Sequence, residues 1–223
     1  AQMGDLAGAV QDFDTATTHT PEDPSAWFNR GLAHARANDY TGAIADFTQA
    51  IDRYPDGEAA NAWYQRALAK VQLDDDEGAI ADLSEALRLD AADAAAWYQR
   101  GMAHARLGQY AEAAADFTEA LRLEPEAGSA WYQRGMAHAL AGDLPAARAD
   151  LDEALRLHPD IADGWYARAN IELEQKNPEL AIADYTRAIA LEPDFADAYH
   201  NRAVARAQAG DFAGALADYN EAI

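Results

Sequence analysis

The sequence predicts an all-α solenoid of antiparallel helix pairs, and three observations carry that prediction. An aromatic residue returns at one place in a 34-residue unit: Trp27, Trp63, Trp97, Trp131, Trp165 and Tyr199 are separated by 36, 34, 34, 34 and 34 residues. Within each unit, apolar and small residues recur at i, i+4 and i+7, which is one face of a helix. Glycine and proline fall where those helices must stop. Self-similarity at this period marks repeats that stack on their neighbours, because no single repeat can bury its own apolar face.

The elements are plainest between Ala94 and Ala127. Trp97, Gly101 and His104 share one face of a helix A, which the Leu107-Gly108-Gln109 turn ends. A helix B follows with Ala113, Phe117 and Ala120 on one face, and Pro125 closes it, since proline cannot continue a helix. Carried along the chain, the pattern gives one elongated domain over residues 1–223. Its repeats are 1–23 (partial), 24–59, 60–93, 94–127, 128–161, 162–195 and 196–223 (partial).

Small residues recur where helices must touch. Gly31, Ala67, Gly101, Gly135, Ala169 and Ala203 hold one position of helix A. On helix B, the alanines equivalent to Ala113 (Ala9, Ala43, Ala79, Ala147, Ala181, Ala215) and to Ala120 flank a large residue: Phe13, Phe47, Leu83, Phe117, Leu151, Tyr185 or Tyr219. Such alternation of large and small is what dense packing requires.

These residues resemble the tetratricopeptide repeat, whose 34-residue pattern is matched by Trp97, Gly101, Ala113, Phe117 and Pro125 in the clearest unit. The resemblance covers essentially the whole chain, and the alanine- and arginine-rich composition is similar to that of bacterial members. It implies a right-handed superhelix of helix pairs whose A helices line a concave groove that receives a peptide or helix.

Two departures from the family pattern stand out. Arginine replaces leucine in every full helix A, at Arg30, Arg66, Arg100, Arg134, Arg168 and Arg202. Aspartate precedes the large residue of every helix B, at Asp12, Asp46, Asp82, Asp116, Asp150, Asp184 and Asp218. Both series lie on the packed faces, so the expectation is a ladder of Arg–Asp pairs.

Irregularities are local. Two extra residues enter near Gly57–Ala59, where a longer turn takes them up. The run Asp74-Asp75-Asp76-Glu77 reads as a solvated loop, without the spacing and glycine of a calcium loop. Pro178 reads as the start of a helix B, and the threonine-rich segment from Thr15 as a fraying helix end. Helix A of the first repeat is cut short at Ala1, and Ile223 directly follows a helix B, so no polar cap is expected at either end. Such ends fit a piece of a longer repeat protein, or a head-to-tail contact that yields a filament.

Composition excludes several functions. There are no cysteines, so no disulfide or thiolate metal site forms. The formal charge of −22, from 39 acidic and 17 basic residues, repels a nucleic-acid backbone and suits either solubility or a basic partner. No run approaches the roughly 18 apolar residues of a membrane span, and Ala1–Val10 lacks the pattern of a signal peptide. His34, His104 and His138 occupy equivalent places in different repeats, too far apart to share an ion, and read as satisfied core histidines. No nucleophile–base set or glycine-rich phosphate loop occurs. The reading is therefore a non-enzymatic protein that needs no cofactor and no metal.

Trp97 and its equivalents are expected to belong to the packed interior, and helix A carries a second apolar stripe, one residue after the tryptophan. It comprises Phe28 and Leu32, Tyr64 and Leu68, Tyr98 and Met102, Tyr132 and Met136, Tyr166 with Asn170, and His200 with Val204. Gln65, Gln99 and Gln133 supply hydrogen-bonding groups beside it. In the family this face looks into the groove. The lysine and arginine of the carboxylate-clamp subtype are missing from it, and an aromatic–methionine lining suits an apolar or amphipathic segment. The alternative for the tyrosines is that they brace adjacent repeats. The expected function is a protein-binding scaffold; the rival is self-assembly with further copies of the chain.

Overall fold

The computed structural model describes residues 3–55 and 57–223, with side chains except at residues 3–7 and 9. Ala1, where helix A was expected to be cut short, and the side chain of Ala9 lie outside the described residues. All regular structure among the described residues is α-helical. The chain forms two compact units that divide after Leu123.

The first unit holds α1 (Met3–His19), α2 (Pro24–Arg36), α3 (Tyr40–Ile51), α4 (Ala60–Val71), α5 (Asp76–Leu89), α6 (Ala94–Arg106) and α7 (Tyr110–Leu123). The second holds α8 (Gly128–Leu140), α9 (Leu144–Leu157), α10 (Ala162–Glu174), α11 (Pro178–Leu191), α12 (Ala196–Gln208) and α13 (Phe212–Glu221). In each unit a helix A packs on the helix B that follows it, and that helix B packs on the next helix A. This is the helical-repeat solenoid that the period predicts.

Every turn from helix A to helix B uses one residue in the left-handed region. These are Asn38 (φ 61°), Asp74 (58°) and Gly108 (73°) in the first unit, and Gly142 (86°), Lys176 (63°) and Gly210 (86°) in the second. The next residue then caps helix B. Asp39, Asp75, Asp143 and Asp211 each accept a backbone N–H from the first turn, at 2.9–3.2 Å. Pro178 is the first residue of α11, as the sequence predicts.

The core is made by the small–large alternation. Ala43, Ala79, Ala113, Ala147 and Ala181 have no exposed surface, and neither have Phe47, Leu83, Phe117, Leu151 and Tyr185 between the alanine pairs. A Cβ at Gly31 would sit 2.8 Å from the Phe47 ring, and one at Gly101 2.8 Å from Phe117. Glycine is thus required where helix B carries phenylalanine. Where it carries Leu83, the facing residue is the fully buried Ala67.

Three expectations are corrected. The segment from Thr15 does not fray: α1 runs to His19, and Thr15, Thr17, Thr18 and Thr20 donate back to carbonyls of the preceding turn at 2.8–3.1 Å. The acidic run is not a free loop. Asp75 caps α5, Asp76 and Glu77 form its first turn, and the half-buried Asp76 carboxylate binds Arg106 at 2.6 Å. The tryptophans are half-buried rather than interior. The extra residues near Gly57, itself at φ 90°, lie in the α3–α4 connection.

Candidate protein-binding face

Each helix A presents two stripes with different duties. The first is the expected ladder. Arg30, Arg66, Arg100, Arg134, Arg168 and Arg202 each grip the aspartate 16 residues later with Nε and Nη2, at 2.6–2.9 Å. The carboxylates, Asp46 to Asp218, are buried, and the guanidinium groups are nearly so. Asp12 is exposed. The hydrogen bond to Asp46 raises the pKa of Arg30 against the opposing effect of burial, and the bond to Asp184 does the same for Arg168.

The structure adds further partners to these rungs. The guanidinium lies over the preceding tryptophan ring, 4.5–4.8 Å from its centroid, with Tyr199 taking that place for Arg202 at 5.4 Å. Nη1 reaches helix B of the preceding repeat: Asp14 for Arg30, Thr48 for Arg66, Ser84 for Arg100, Asp152 for Arg168 and Thr186 for Arg202. The histidines adjoin the same carboxylates. His34, His104 and His138 place Nε2 3.7–3.8 Å from Asp46, Asp116 and Asp150, while Lys70 and Arg206 bind Asp82 and Asp218 at 2.9 Å. These charges neutralise one another within the fold, which makes this stripe structural.

The second stripe is half-buried throughout, and its members divide. Phe28, Tyr98 and Tyr166 rest on the large residue of their own helix B, with ring centroids 5.7 Å from Phe47, 5.5 Å from Phe117 and 5.8 Å from Tyr185. Leu32 and Leu68, with Gln65 and Gln99, line a cavity of about 600 Å³ in the first unit, rimmed by Arg36 and Gln72. Tyr132, Met136 and Tyr166 line one of about 470 Å³ in the second unit, together with Leu140, Asn170, Glu174 and Phe195. Phe28, Tyr64, Tyr98, Met102 and Gln133 are not in the walls of these two cavities. Burial raises the phenol pKa of Tyr132, and Asp163 adds to the shift. Burial and then Asp93 act likewise on Tyr64.

Tyr132 also borders a third cavity, of about 340 Å³, between the starts of α8 and α10, whose walls include Leu155, Ile161 and Asp163. Gly128 and Gly164 keep this corner open, since a Cβ on them would strike His158 and Leu155. Sequence reasoning did not single out Ile161 and Phe195. The available signal was register: α2 and α6 begin at Asp23 and Asp93, which cap them, whereas α8, α10 and α12 begin at Ala127, Ile161 and Phe195 without a side-chain cap. In the first unit α4 likewise begins at Ala59 without a side-chain cap; losing such a cap costs about 0.5–2 kcal/mol, and Ala127, Ile161 and Phe195 line the cavities of the second unit.

Among the described residues no group of histidine, aspartate and glutamate is gathered to hold a metal ion, and no helix is long and apolar enough to cross a membrane.

A tetratricopeptide repeat model matches residues 1–58, 98–162, 134–193 and 166–223, and a second TPR repeat model matches 67–108. The chain belongs to the tetratricopeptide repeat family. No curated protein matches it. Solved TPR structures do. The chain is similar to YrrB, described as a TPR protein with an unusual peptide-binding site, at 25% identity and a TM-score of 0.78, over 87% of this chain and 99% of that one. The C-terminal part of a TPR repeat-containing protein from Cytophaga hutchinsonii aligns at 17% identity and a TM-score of 0.83, over 98% and 89%. A MamA fragment from Desulfovibrio magneticus RS-1 aligns at 21% and 0.71, over 75% and 94%. The latter two likenesses concern the fold alone.

Proposed function

We propose that this TPR chain is a non-enzymatic scaffold that holds an apolar or amphipathic protein segment against the second stripe of its A helices. One observation carries the reading: the first stripe is consumed by the ladder, while the second leaves apolar cavities of about 470 and 600 Å³ that the fold does not fill. Their walls combine aromatic, methionine and leucine side chains with a few amides, which suits an amphipathic segment. The peptide-binding site of the similar YrrB supports the same use of the fold. In the second unit Tyr132 and Tyr166 are the anchors and Met136 the floor; in the first, Leu32 and Leu68 form the floor beside Gln65 and Gln99. Tyr98, tilted against Phe117, is a brace. The test is titration of a labelled amphipathic helical peptide into the full chain. Tyr132→Ala should weaken binding by about 2 kcal/mol, as at a hot spot, with helicity retained by circular dichroism. Unchanged affinity in a folded variant contradicts the groove.

A second reading, self-association, rests on α13, where Phe212 and Leu216 are 73% and 64% exposed. Large apolar side chains exposed together mark contact surfaces. Sedimentation of the wild type and of Phe212→Ser/Leu216→Ser decides it: self-association predicts a concentration-dependent mass that the double variant abolishes.

A further inference from the structure

The cavities of the two units lie at the same register of the repeat, yet their rims carry opposite charge. Where the first unit has Arg36 and Gln72, the second has Leu140 and Glu174. Glu174 stands in the last turn of α10, where the helix dipole disfavours an anion, so the fold gives no reason for it. Asp163 lies at the other end of α10, and neither carboxylate has an ion pair among the described residues. No lysine or arginine lines either cavity of the second unit. The floor adds a hydrogen-bond donor. Asn170 Oδ1 accepts from Tyr185 OH at 2.6 Å and from Asn201 Nδ2 at 3.1 Å, which fixes the amide and leaves its own Nδ2 without an acceptor among the described residues.

Resting on the groove reading above, we propose that the second unit selects a basic amphipathic segment. An aliphatic or aromatic side chain enters between Tyr132 and Phe195, and Asn170 Nδ2 donates to the segment. Lysine or arginine residues on either side meet Asp163 and Glu174. Those two are 11 positions apart on α10, about 16 Å along its axis, so one segment carries at least two such cations around its apolar side chains. Two unpaired acids thus flank a cavity whose walls are largely apolar.

Three fluorescein-labelled helical peptides test this with the full chain: one with leucine and lysine at amphipathic spacing, one with glutamate for lysine, and one with serine for leucine. The leucine–lysine peptide should bind at least about tenfold tighter than either of the others. Glu174→Arg, which reverses the charge of the rim, should weaken it by about five- to tenfold and improve the leucine–glutamate peptide. Glu112→Arg, with the same change in net charge on an exposed part of α7, should leave affinity unchanged. Equal binding of the leucine–lysine and leucine–glutamate peptides overturns the charge selection and leaves the groove standing. Equal binding of the serine–lysine peptide, or no effect of Glu174→Arg, overturns the site. If no leucine peptide binds, the groove reading itself falls.

Discussion

Arg100 serves three neighbours at once: Asp116 through a two-pronged grip, Ser84 on the preceding helix B, and the Trp97 ring beneath its plane. Because Asp116 is buried, Asp116→Ala and Asp116→Asn should each cost about 3–5 kcal/mol, by stranding the guanidinium or breaking its fork. Urea denaturation measures this, and two near-neutral results would remove the ladder from the account. The glycine–phenylalanine match makes a second residue-scale prediction. Gly101→Ala should cost about 1–3 kcal/mol through overpacking against Phe117, and adding Phe117→Leu should recover part of it, as the Ala67–Leu83 pairing already does. The Arg–Asp pairs were legible in the sequence because both residues recur at fixed register within one repeat. The contacts of Nη1 were not, since they depend on how one repeat stacks upon the last. The tryptophans read as interior because they share a helix face with the packed small residues; the structure leaves them half-open with the arginine as their cover.

At the scale of elements, the turns are set by one left-handed residue and a cap. Lys176, at φ 63°, occupies a position that Gly108, Gly142 and Gly210 fill in other repeats. Lys176→Gly should therefore raise stability, by about 1 kcal/mol, read as a higher thermal midpoint; a lower one would show that the lysine side chain contributes more than its backbone costs. Helix limits were legible because glycine and proline break the periodicity. The threonine segment and the acidic run were misread for a common reason. Local composition suggested loop, but Thr side chains can bond back to the preceding turn and acids are favoured in a first turn. The cavities were less legible still. Tyr98 and Tyr132 are equivalent in sequence, yet one lies against Phe117 while the other, facing Leu151 at the matching place, borders two cavities.

For the molecule as a whole, charge and buried phenols set the response to solution conditions. Burial raises the pKa of Tyr64, Tyr132 and Tyr185 above the ordinary 10.0. With folded values above unfolded ones, their contribution is complete below that pH and is lost as pH rises through the folded values. The urea midpoint should accordingly fall as pH rises above about 10, and a flat profile there would contradict the burial of these rings. The central claim is that structure and binding are divided between two stripes of helix A. Hydrogen–deuterium exchange of the full chain, free and saturated with the leucine–lysine peptide, tests it most directly. The account predicts added protection in α8 and α10, including Tyr132–Leu140 and Asp163–Glu174, with α9 and α11 little changed. Protection confined to α9 and α11, with none in α8 or α10, would contradict it.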